Sequence, residues 1–253
     1  MSRTLLSRRG LIVSGTALGG LWLAGCDRLS QAPEAAKFLD RDDQLNMSAQ
    51  RLLLAGQPLA REFKTSEISR VFKANGSIAP QDPAYLALVQ SRFANWALTV
   101  TGLVQRPLAL SLAQLRALPA RTQTTRHDCV EGWSAIGQWT GPQLSGLLRT
   151  AGLQPHARYV VFHCADTLGD SRYYESIDLF DAFHPQTILA HTMNGQPLAV
   201  AHGAPIRLRV ERQLGYKQAK YVMGIEVTNS LDHIEGGGGG YWEDRGYEWY
   251  AGI

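Results

Sequence analysis

Hydrophobic and polar positions follow helical spacing in one part of the chain and strand spacing in another. A helix is predicted to begin at Asp82, with Pro83 in its first turn, and to run to Phe93. Ser111 and Gln114 have the spacing of a capping box, which predicts a second, short helix. A third helix is predicted from Pro142, because apolar residues recur there at helical spacing. These residues are Leu144, Leu147, Leu148 and Ala151.

Strands are predicted where apolar and polar residues alternate. Residues 96–101 and 221–227 alternate in this way, and residues 159–162 form a short apolar run. In residues 206–211 the apolar side chains point to one face and Arg207, Arg209 and Glu211 to the other. On this pattern alone, the charged face is expected to contact solvent. Short strands with few helices predict a single, sheet-rich α+β domain.

Composition narrows the class of protein further. The chain has 253 residues, 45% hydrophobic and 19% charged, which is typical of a compact globular protein and excludes wholesale disorder. The formal net charge is only +3, and no basic stripe is present. We therefore expect no nucleic-acid partner.

The N-terminus has the pattern of an export signal. Arg8 and Arg9 precede an apolar run, residues 11–24, that is too short to span a bilayer comfortably. The run ends in Leu-Ala-Gly-Cys26, which resembles a bacterial lipobox, so Cys26 is predicted to carry a lipid. The predicted division is a twin-arginine signal at 1–26, a tether at 27–58 and the folded domain at 59–253. A single anchor helix at the N-terminus is the alternative, and both interpretations place the domain outside the cytoplasm, in the periplasm or its equivalent.

Two cysteines remain for chemistry, Cys129 and Cys164. A disulfide between them, or two buried inert thiols, are the structural alternatives. Beside Cys129, Arg126 and His127 favour the reactive thiolate, whereas Asp128 and the nearby Glu131 oppose it. The spacings that hold zinc are missing, so a lone thiolate suits a metal that brings its own ligands. A cysteine nucleophile with His127 as its base remains open.

Three segments of the chain resemble one known family. These are Arg126-His-Asp-Cys129-Val-Glu131-Gly-Trp-Ser134 with Trp139-Thr-Gly, His202-Gly-Ala-Pro-Ile-Arg207-Leu, and Gly215-Tyr-Lys217-Gln218-Ala-Lys220. They resemble, in order, the molybdenum-cysteine, pterin and phosphate segments of sulfite-oxidase-like molybdopterin oxidoreductases. Within that family, the branch of periplasmic methionine sulfoxide reductases is the most similar. The likeness extends from about Asn95 to Val227.

The resemblance implies a molybdopterin cofactor and the sulfite-oxidase molybdenum fold. It implies that Cys129 is the protein ligand to molybdenum and that Glu131 and His127 lie near the metal as catalytic groups. We also expect Glu131 to face the same side as Cys129, because residues two apart do so in extended chain. Gly203 and Gly215 are expected to allow close approach of the pterin. Six residues are expected to bind the cofactor: His202, Arg207, Lys217, Gln218, Lys220 and Cys164.

The family differs from this chain at two of these positions. It carries Asn where this chain has His202, and Thr near Cys164. Its N-terminal pterin contacts are expected within residues 72–76. An exported enzyme of this kind would transfer oxygen atoms in two-electron steps, reducing a small sulfoxide or N-oxide.

Electrons would come from a separate protein. The chain has too few cysteines for an iron–sulfur cluster and no haem-attachment motif. A haem-bearing membrane or periplasmic partner is expected, with the enzyme itself a monomer tethered to the membrane. Alternatives are a sulfite dehydrogenase, a cofactor-free lipoprotein binding module on the same fold, and a thiol–disulfide enzyme using Cys129 and Cys164.

The C-terminal tail combines a glycine run with aromatic residues. Gly236 to Gly240 predict a flexible link. The aromatic residues that follow are expected to pack over the domain, or else to shape a substrate mouth or dock a partner. They are Tyr241, Trp242, Tyr247, Trp249 and Tyr250.

Overall fold

The structure is a computed structural model that describes residues 45, 47–53, 56 and 58–253. The predicted signal peptide, the lipobox and the lipid at Cys26 lie outside the described residues. Residues 47–53 are helical, so part of the predicted tether has regular structure. The chain divides into two units, and the second, Gln57–Ile253, contains every element described below. Among the described residues, no helix is long and apolar enough to cross a membrane.

Four short helices and eleven strands make up the second unit. The helices are α1 (Pro83–Gln90), α2 (Leu112–Ala117), α3 (Leu144–Ala151) and α4 (Leu179–Ala182). The strands are β1 (Ala97–Gly102), β2 (Leu108–Ser111), β3 (Ala120–Asp128), β4 (Ser134–Pro142), β5 (Tyr159–Leu168), β6 (Ser171–Asp178), β7 (Ile188–Ala190), β8 (Thr192–Met193), β9 (Gln196–Pro197), β10 (Arg207–Arg209) and β11 (Val222–Thr228).

The strands form three sheets. The largest has the order β2-β1-β11-β5-β6, in which β1 and β11 pair in parallel and the other pairs are antiparallel. A four-stranded sheet has the order β3-β4-β8-β9, and β10 pairs with β7. The main core lies against the five-stranded sheet and includes Trp96, Leu98, Phe162 and Ile225, all at most 1% exposed. The predicted sheet-rich α+β architecture is therefore present.

The predicted helix starts are correct in two of three cases. Asp82 caps α1 by accepting a hydrogen bond from the Tyr85 N–H, and Ser111 and Gln114 form both bonds of the capping box of α2. The third helix begins at Leu144 rather than at Pro142. Pro142 is the last residue of β4, which pairs with β3 up to that point, so the sheet determines the boundary.

The expectation of a solvated charged face on residues 206–211 is wrong. Arg207, Arg209 and Glu211 are at most 4% exposed, and the apolar side chains on the other face are buried as well. Arg209 and Glu211 form a two-point ion pair, with Nε–Oε1 and Nη2–Oε2 distances of 3.0 and 2.6 Å. Buried charges require such partners. The segment therefore places the charged groups of Arg209 and Glu211, already paired, in the interior of the protein.

The glycine run of the tail is not a flexible link. The N–H groups of Gly236 and Gly238 donate to the Asp244 carboxylate at 3.1 and 2.8 Å. A Cβ on Gly240 would lie 2.0 Å from Oε2 of Glu243. These glycines therefore allow the tail to pack closely against itself.

Candidate active site

A cleft of about 160 Å³ collects most of the residues singled out in the sequence. It is lined by the turn between β3 and β4, by residues 75–77, by the end of β5, by Tyr173 of β6, by β10, by residues 215, 216, 218 and 220, and by Trp242 and Tyr247. Cys129, Glu131, Arg207, Gln218 and Lys220 all line it. Segments far apart in the sequence therefore meet here.

Cys129 lies at the tight turn that joins β3 to β4. Its N–H donates to the Trp133 carbonyl at 2.9 Å, and its carbonyl accepts from the Gly132 N–H at 3.0 Å. Burial raises the pKa of the thiol, and the charge of Glu131 adds to that rise. Hydrogen-bond donors lower the pKa of the thiol; one of them is Asn75, whose Nδ2 lies 3.3 Å from the cysteine Sγ. A bound metal cation would supply the positive charge that favours the thiolate.

Glu131 lines the same cleft, although the chain turns there rather than extending as expected. Its Oε2 accepts from Lys73 Nζ and from Trp133 Nε1, both at 3.0 Å. These two hydrogen bonds lower the pKa of Glu131, so it is a carboxylate at neutral pH. The turn places it at the exposed side of the cleft.

His127 lies behind the turn and does not line the cleft. Its ring is 1% exposed and contacts the ring of Phe72, and its Nδ1 is 3.1 Å from Nη1 of Arg209. Burial lowers the pKa of His127 well below its usual value, and the charges of Arg209 and Arg207 lower it further. A neutral imidazole enclosed in this way is poorly placed to exchange protons with a ligand in the cleft.

Two cations line the cleft. Arg207 is 3% exposed, its guanidinium lies 5.0 Å from the Trp139 ring centroid, and its Nε has no hydrogen-bond partner among the described residues. Lys220 Nζ donates to the carbonyls of Asn75 and Ser77. Burial lowers the pKa of Arg207 to about 9 and that of Lys220 to about 7. An anion bound in the cleft would therefore stabilise the charged forms of Arg207 and Lys220 and raise their pKa values.

Asp166 also lines the cleft, and sequence reasoning missed it. The prediction favoured Cys164, two residues earlier, but Cys164 packs in the main core and is absent from the cleft lining. The pairing of β5 with β6 shifts register between His163 and Thr167, and such irregularities redirect side chains. The acidic residue that ends the apolar run Val160-Val-Phe-His-Cys-Ala-Asp166 was the available signal.

Of the remaining residues predicted to bind the cofactor, some line the cleft and others do not. Gln218 lines the cleft, whereas His202 and Lys217 do not. His202 is half-buried, with its ring against Phe72 at 5.9 Å, and its carbonyl accepts a hydrogen bond from Arg207. Lys217 is 1% exposed, and its Nζ lies 2.5 Å from carboxylate oxygens of both Glu175 and Glu243. The Lys217 ammonium is thus fully engaged inside the protein.

Of the two glycines expected to admit the pterin, Gly215 lines the cleft and Gly203 does not, and an added Cβ would meet protein atoms at both. A Cβ on Gly215 would lie 2.7 Å from the His127 ring, and one on Gly203 would lie 2.9 Å from Cβ of Lys220. Gly76 differs from both. It lines the cleft at a φ of +60°, and a Cβ there would meet nothing within 4 Å. Glycine backbone therefore lines the cleft at residues 76 and 215, and residue 76 lies within the 72–76 segment where N-terminal pterin contacts were expected.

The cleft fits the molybdopterin that the resemblance implies. It offers one thiol, two cations and three buried polar atoms without partners among the described residues, Nε of Arg207, Oδ1 of Asp166 and Oε1 of Gln218. The described residues contain no group of three or more His, Cys, Asp or Glu side chains placed to hold a metal ion. A metal bound at Cys129 would therefore need further ligands from its own cofactor, which the pterin dithiolene supplies.

The buried Asp166 carboxyl predicts a pH-dependent stability of the cofactor-free protein. Burial raises the pKa of Asp166 from 3.8 to about 7, so the folded protein keeps a proton that the unfolded chain releases. Its contribution to the free energy of unfolding is complete below 3.8 and lost as the pH rises through about 7. Asp166→Asn should therefore stabilise the protein more at about pH 8 than at about pH 4. Urea unfolding at both pH values measures this; an equal effect at both would contradict it.

Comparison with known proteins agrees with this geometry. A family profile described as "Oxidoreductase molybdopterin binding domain" matches residues 85–233. The chain is 39% identical to a putative protein-methionine-sulfoxide reductase subunit, YedZ1, of Azospira oryzae, over 98% of this chain and 88% of that protein. It is 36% identical to the protein-methionine-sulfoxide reductase catalytic subunit MsrP of Gluconobacter oxydans, over 54% of this chain and 47% of that protein. The chain thus aligns with about half the length of the second relative.

A solved structure has a similar fold. The sulfane dehydrogenase SoxCD of Paracoccus pantotrophus superposes with a TM-score of 0.50 and 24% identity, covering 54% of this chain and 39% of that one. This similarity confirms the predicted α+β fold. The family profile covers more than half of the chain, and the Azospira relative aligns along nearly all of it. This chain therefore belongs to the family of molybdopterin-binding oxidoreductases: it is an enzyme, and molybdopterin is its cofactor.

Proposed function

We propose that this enzyme is an exported sulfoxide reductase that binds molybdenum through Cys129 and receives electrons from a separate protein. The observation that carries the proposal is the meeting of Cys129, Arg207 and Lys220 in one cleft. The bound molybdenum would supply two-electron oxygen-atom transfer. Both relatives described above are named as subunits of protein-methionine-sulfoxide reductases, which supports a sulfoxide as the substrate.

Each residue of the cleft would have a separate role. Cys129 would hold the metal, with the N–H of Asn75 directed at its sulfur. Arg207 and Lys220 would bind the anionic phosphate end of the cofactor. Glu131, ionised at neutral pH and on the exposed side, would relay protons from solvent to the substrate oxygen or orient the substrate. His127, neutral and enclosed, would hold the turn in place.

Sulfite oxidation is the alternative reaction. A sulfite site should hold several arginines near the metal, because the substrate is an anion. Arg207 is the one arginine among the described residues that line the cleft, and its position suits the cofactor phosphate. The lining therefore favours a neutral substrate such as a sulfoxide.

The thiol–disulfide alternative fits the structure poorly. Cys129 and Cys164 are both free thiols, and Cys164 is enclosed in the main core. Burial raises the pKa of Cys164 well above its usual value, which suppresses the thiolate needed for exchange. A redox pair formed by these two residues would require the core to open.

The metal and pterin content of the purified protein tests the proposal. Protein from a molybdenum-replete host should contain about one molybdenum per chain, since one thiolate completes one pterin-bound metal, and should reduce a methionine sulfoxide with an artificial electron donor. A preparation free of molybdenum and of pterin fluorescence, from a host that loads a control molybdoenzyme, would contradict it. The binding-module alternative would then be favoured.

Export through the twin-arginine route, with a lipid at Cys26, is the second part of the proposal. Replacing Arg8 and Arg9 together with lysine should retain the protein in the cytoplasm, because that route recognises the arginine pair. Fractionation of cells that produce each protein measures the outcome. Cys26→Ser serves as the control, since it should be exported but released from the membrane. Normal export of the lysine variant would show that the signal is of another type.

A further inference from the structure

The C-terminal segment Gly236–Tyr250, here called the C-terminal wall, contributes to the cleft although it lies outside the residues matched by the family profile. Trp242 and Tyr247 line the same cleft as Cys129. Their contribution is therefore not part of what the family profile describes. A site-lining segment added to a shared fold is a common origin of substrate preference.

Hydrogen bonds fix the wall to the body of the domain. Asp244 accepts from the hydroxyl of Tyr174 at 2.6 Å as well as from two glycine N–H groups of the wall. The N–H of Tyr241 donates to the Tyr174 carbonyl at 3.0 Å, and its hydroxyl donates to the Leu168 carbonyl at 2.8 Å. Tyr241, which immediately precedes Trp242, is thus held at both its backbone and its side chain.

A buried ion triad provides a second attachment. Glu243, the residue after Trp242, shares the ammonium of Lys217 with Glu175 of β6. All three side chains are at most 1% exposed. Since a buried charge is costly to separate from its partner, the backbone at Trp242 is held firmly. The wall therefore presents a fixed surface to the cleft.

That surface is aromatic. The rings of Trp242 and Tyr247 are 5.2 Å apart between centroids, and the ring of Tyr216, which also lines the cleft, is 5.3 Å from that of Tyr247. The Tyr216 hydroxyl donates to the Glu248 carbonyl, so its polar end is already used. Aromatic faces attract thioether sulfur and the methyl and methylene groups beside it.

We infer that Trp242 and Tyr247 bind the apolar part of a methionine sulfoxide side chain, with its S-methyl and methylene groups against the wall. The inference depends on the proposed sulfoxide reduction and adds the two residues that would determine its substrate preference. The wall would thus give the enzyme its preference for methionine sulfoxide over dimethyl sulfoxide, which offers fewer apolar groups.

Steady-state kinetics of the molybdenum-loaded enzyme test this. Trp242→Ala and Tyr247→Ala should each lower kcat/KM for N-acetylmethionine sulfoxide amide by about tenfold, the loss expected when roughly two methylene groups are no longer buried, and for dimethyl sulfoxide, which lacks them, by roughly twofold at most. Trp242→Phe should keep most of the preference. Trp249→Phe is the matched control: Trp249 belongs to the wall but lies outside the cleft, packed on Tyr159 and near Nζ of Lys217, and because phenylalanine keeps a ring there the ratio should stay unchanged.

Two further readouts separate the inference from the proposed function. Calorimetry should show that N-acetylmethionine amide, the thioether product, binds the wild-type protein and binds both alanine variants about tenfold more weakly. Molybdenum per chain should stay unchanged. Loss of molybdenum, an equal fall for both sulfoxides, or no thioether binding would overturn the inference. A wild-type enzyme that binds the thioether but reduces neither sulfoxide would contradict the proposed reaction while supporting the wall.

Discussion

Cys129→Ser should abolish sulfoxide reduction and leave the fold nearly intact. The substitution removes the thiolate that is proposed to hold molybdenum, and a serine hydroxyl is too weak an acid to replace it. The turn should persist, because its hydrogen bonds to Trp133 and Gly132 involve only the backbone of residue 129. Activity, molybdenum content and the urea unfolding midpoint of the same preparation measure these effects.

Cys164→Ala is the matched control for Cys129→Ser. It removes the second free thiol from a buried site in the main core, so it should cost about 1 kcal/mol or somewhat more in stability through a small cavity. Activity and molybdenum content should remain close to those of the wild type. Full activity in Cys129→Ser, or equal losses in both variants, would show that Cys129 does not ligate the metal.

Lys217→Met should destabilise the protein by about 3–5 kcal/mol, the cost expected when one partner of a buried ion pair is removed. Burial acts to lower the pKa of Lys217, but Glu175 and Glu243 together raise it above its ordinary value, so the lysine is charged in the folded protein. Methionine would leave Glu175 and Glu243 buried without their cation, where burial and the charge of Glu243 already hold the pKa of Glu175 well above its ordinary value. Denaturant unfolding of the two purified proteins measures the difference.

Lys73→Met is the control for Lys217→Met. Lys73 also bonds a glutamate, but its side chain is 60% exposed and the Glu131 side chain 47%, so solvent screens the pair and stability should hardly change. The two variants also test whether Lys217 has a structural role or binds the cofactor. If Lys217→Met kept full stability but lost its cofactor, the sequence-based assignment of Lys217 to the pterin phosphate would be right and the structural role wrong.

The amphipathic helix and strand patterns were predictable from sequence because each depends on near neighbours. The capping side chains of Asp82 and Ser111 bond residues only three positions away, so local spacing determines them. Leu98 and Val100 are buried as their alternation predicts. The start of α3 was missed because pairing of β4 with β3 extends the strand through Pro142, and this is tertiary information.

The candidate site was predictable only as far as its motifs extend. Cys129, Glu131, Arg207, Gln218 and Lys220 line the cleft as expected. Asp166 was missed although it ends an apolar run, because the register shift between β5 and β6 cannot be predicted from the sequence. Lys217 and His202 point elsewhere because partners distant in the sequence hold them. Motif spacing gives the order of residues along the chain but not the direction of each side chain.

The parallel pairing of β1 with β11 has a consequence for how the enzyme is made. The strand that begins at Ala97 has β2 and β11 as its neighbours in the largest sheet, and β11 also joins it to β5 and β6. A nascent chain that has been synthesised only as far as β10 therefore lacks β11, the central strand that joins β1 and β2 to β5 and β6. Lys220 precedes β11 by two residues, so the cleft is completed late as well. Cofactor insertion should accordingly follow the synthesis of β11, and this order suits the proposed export of a folded protein.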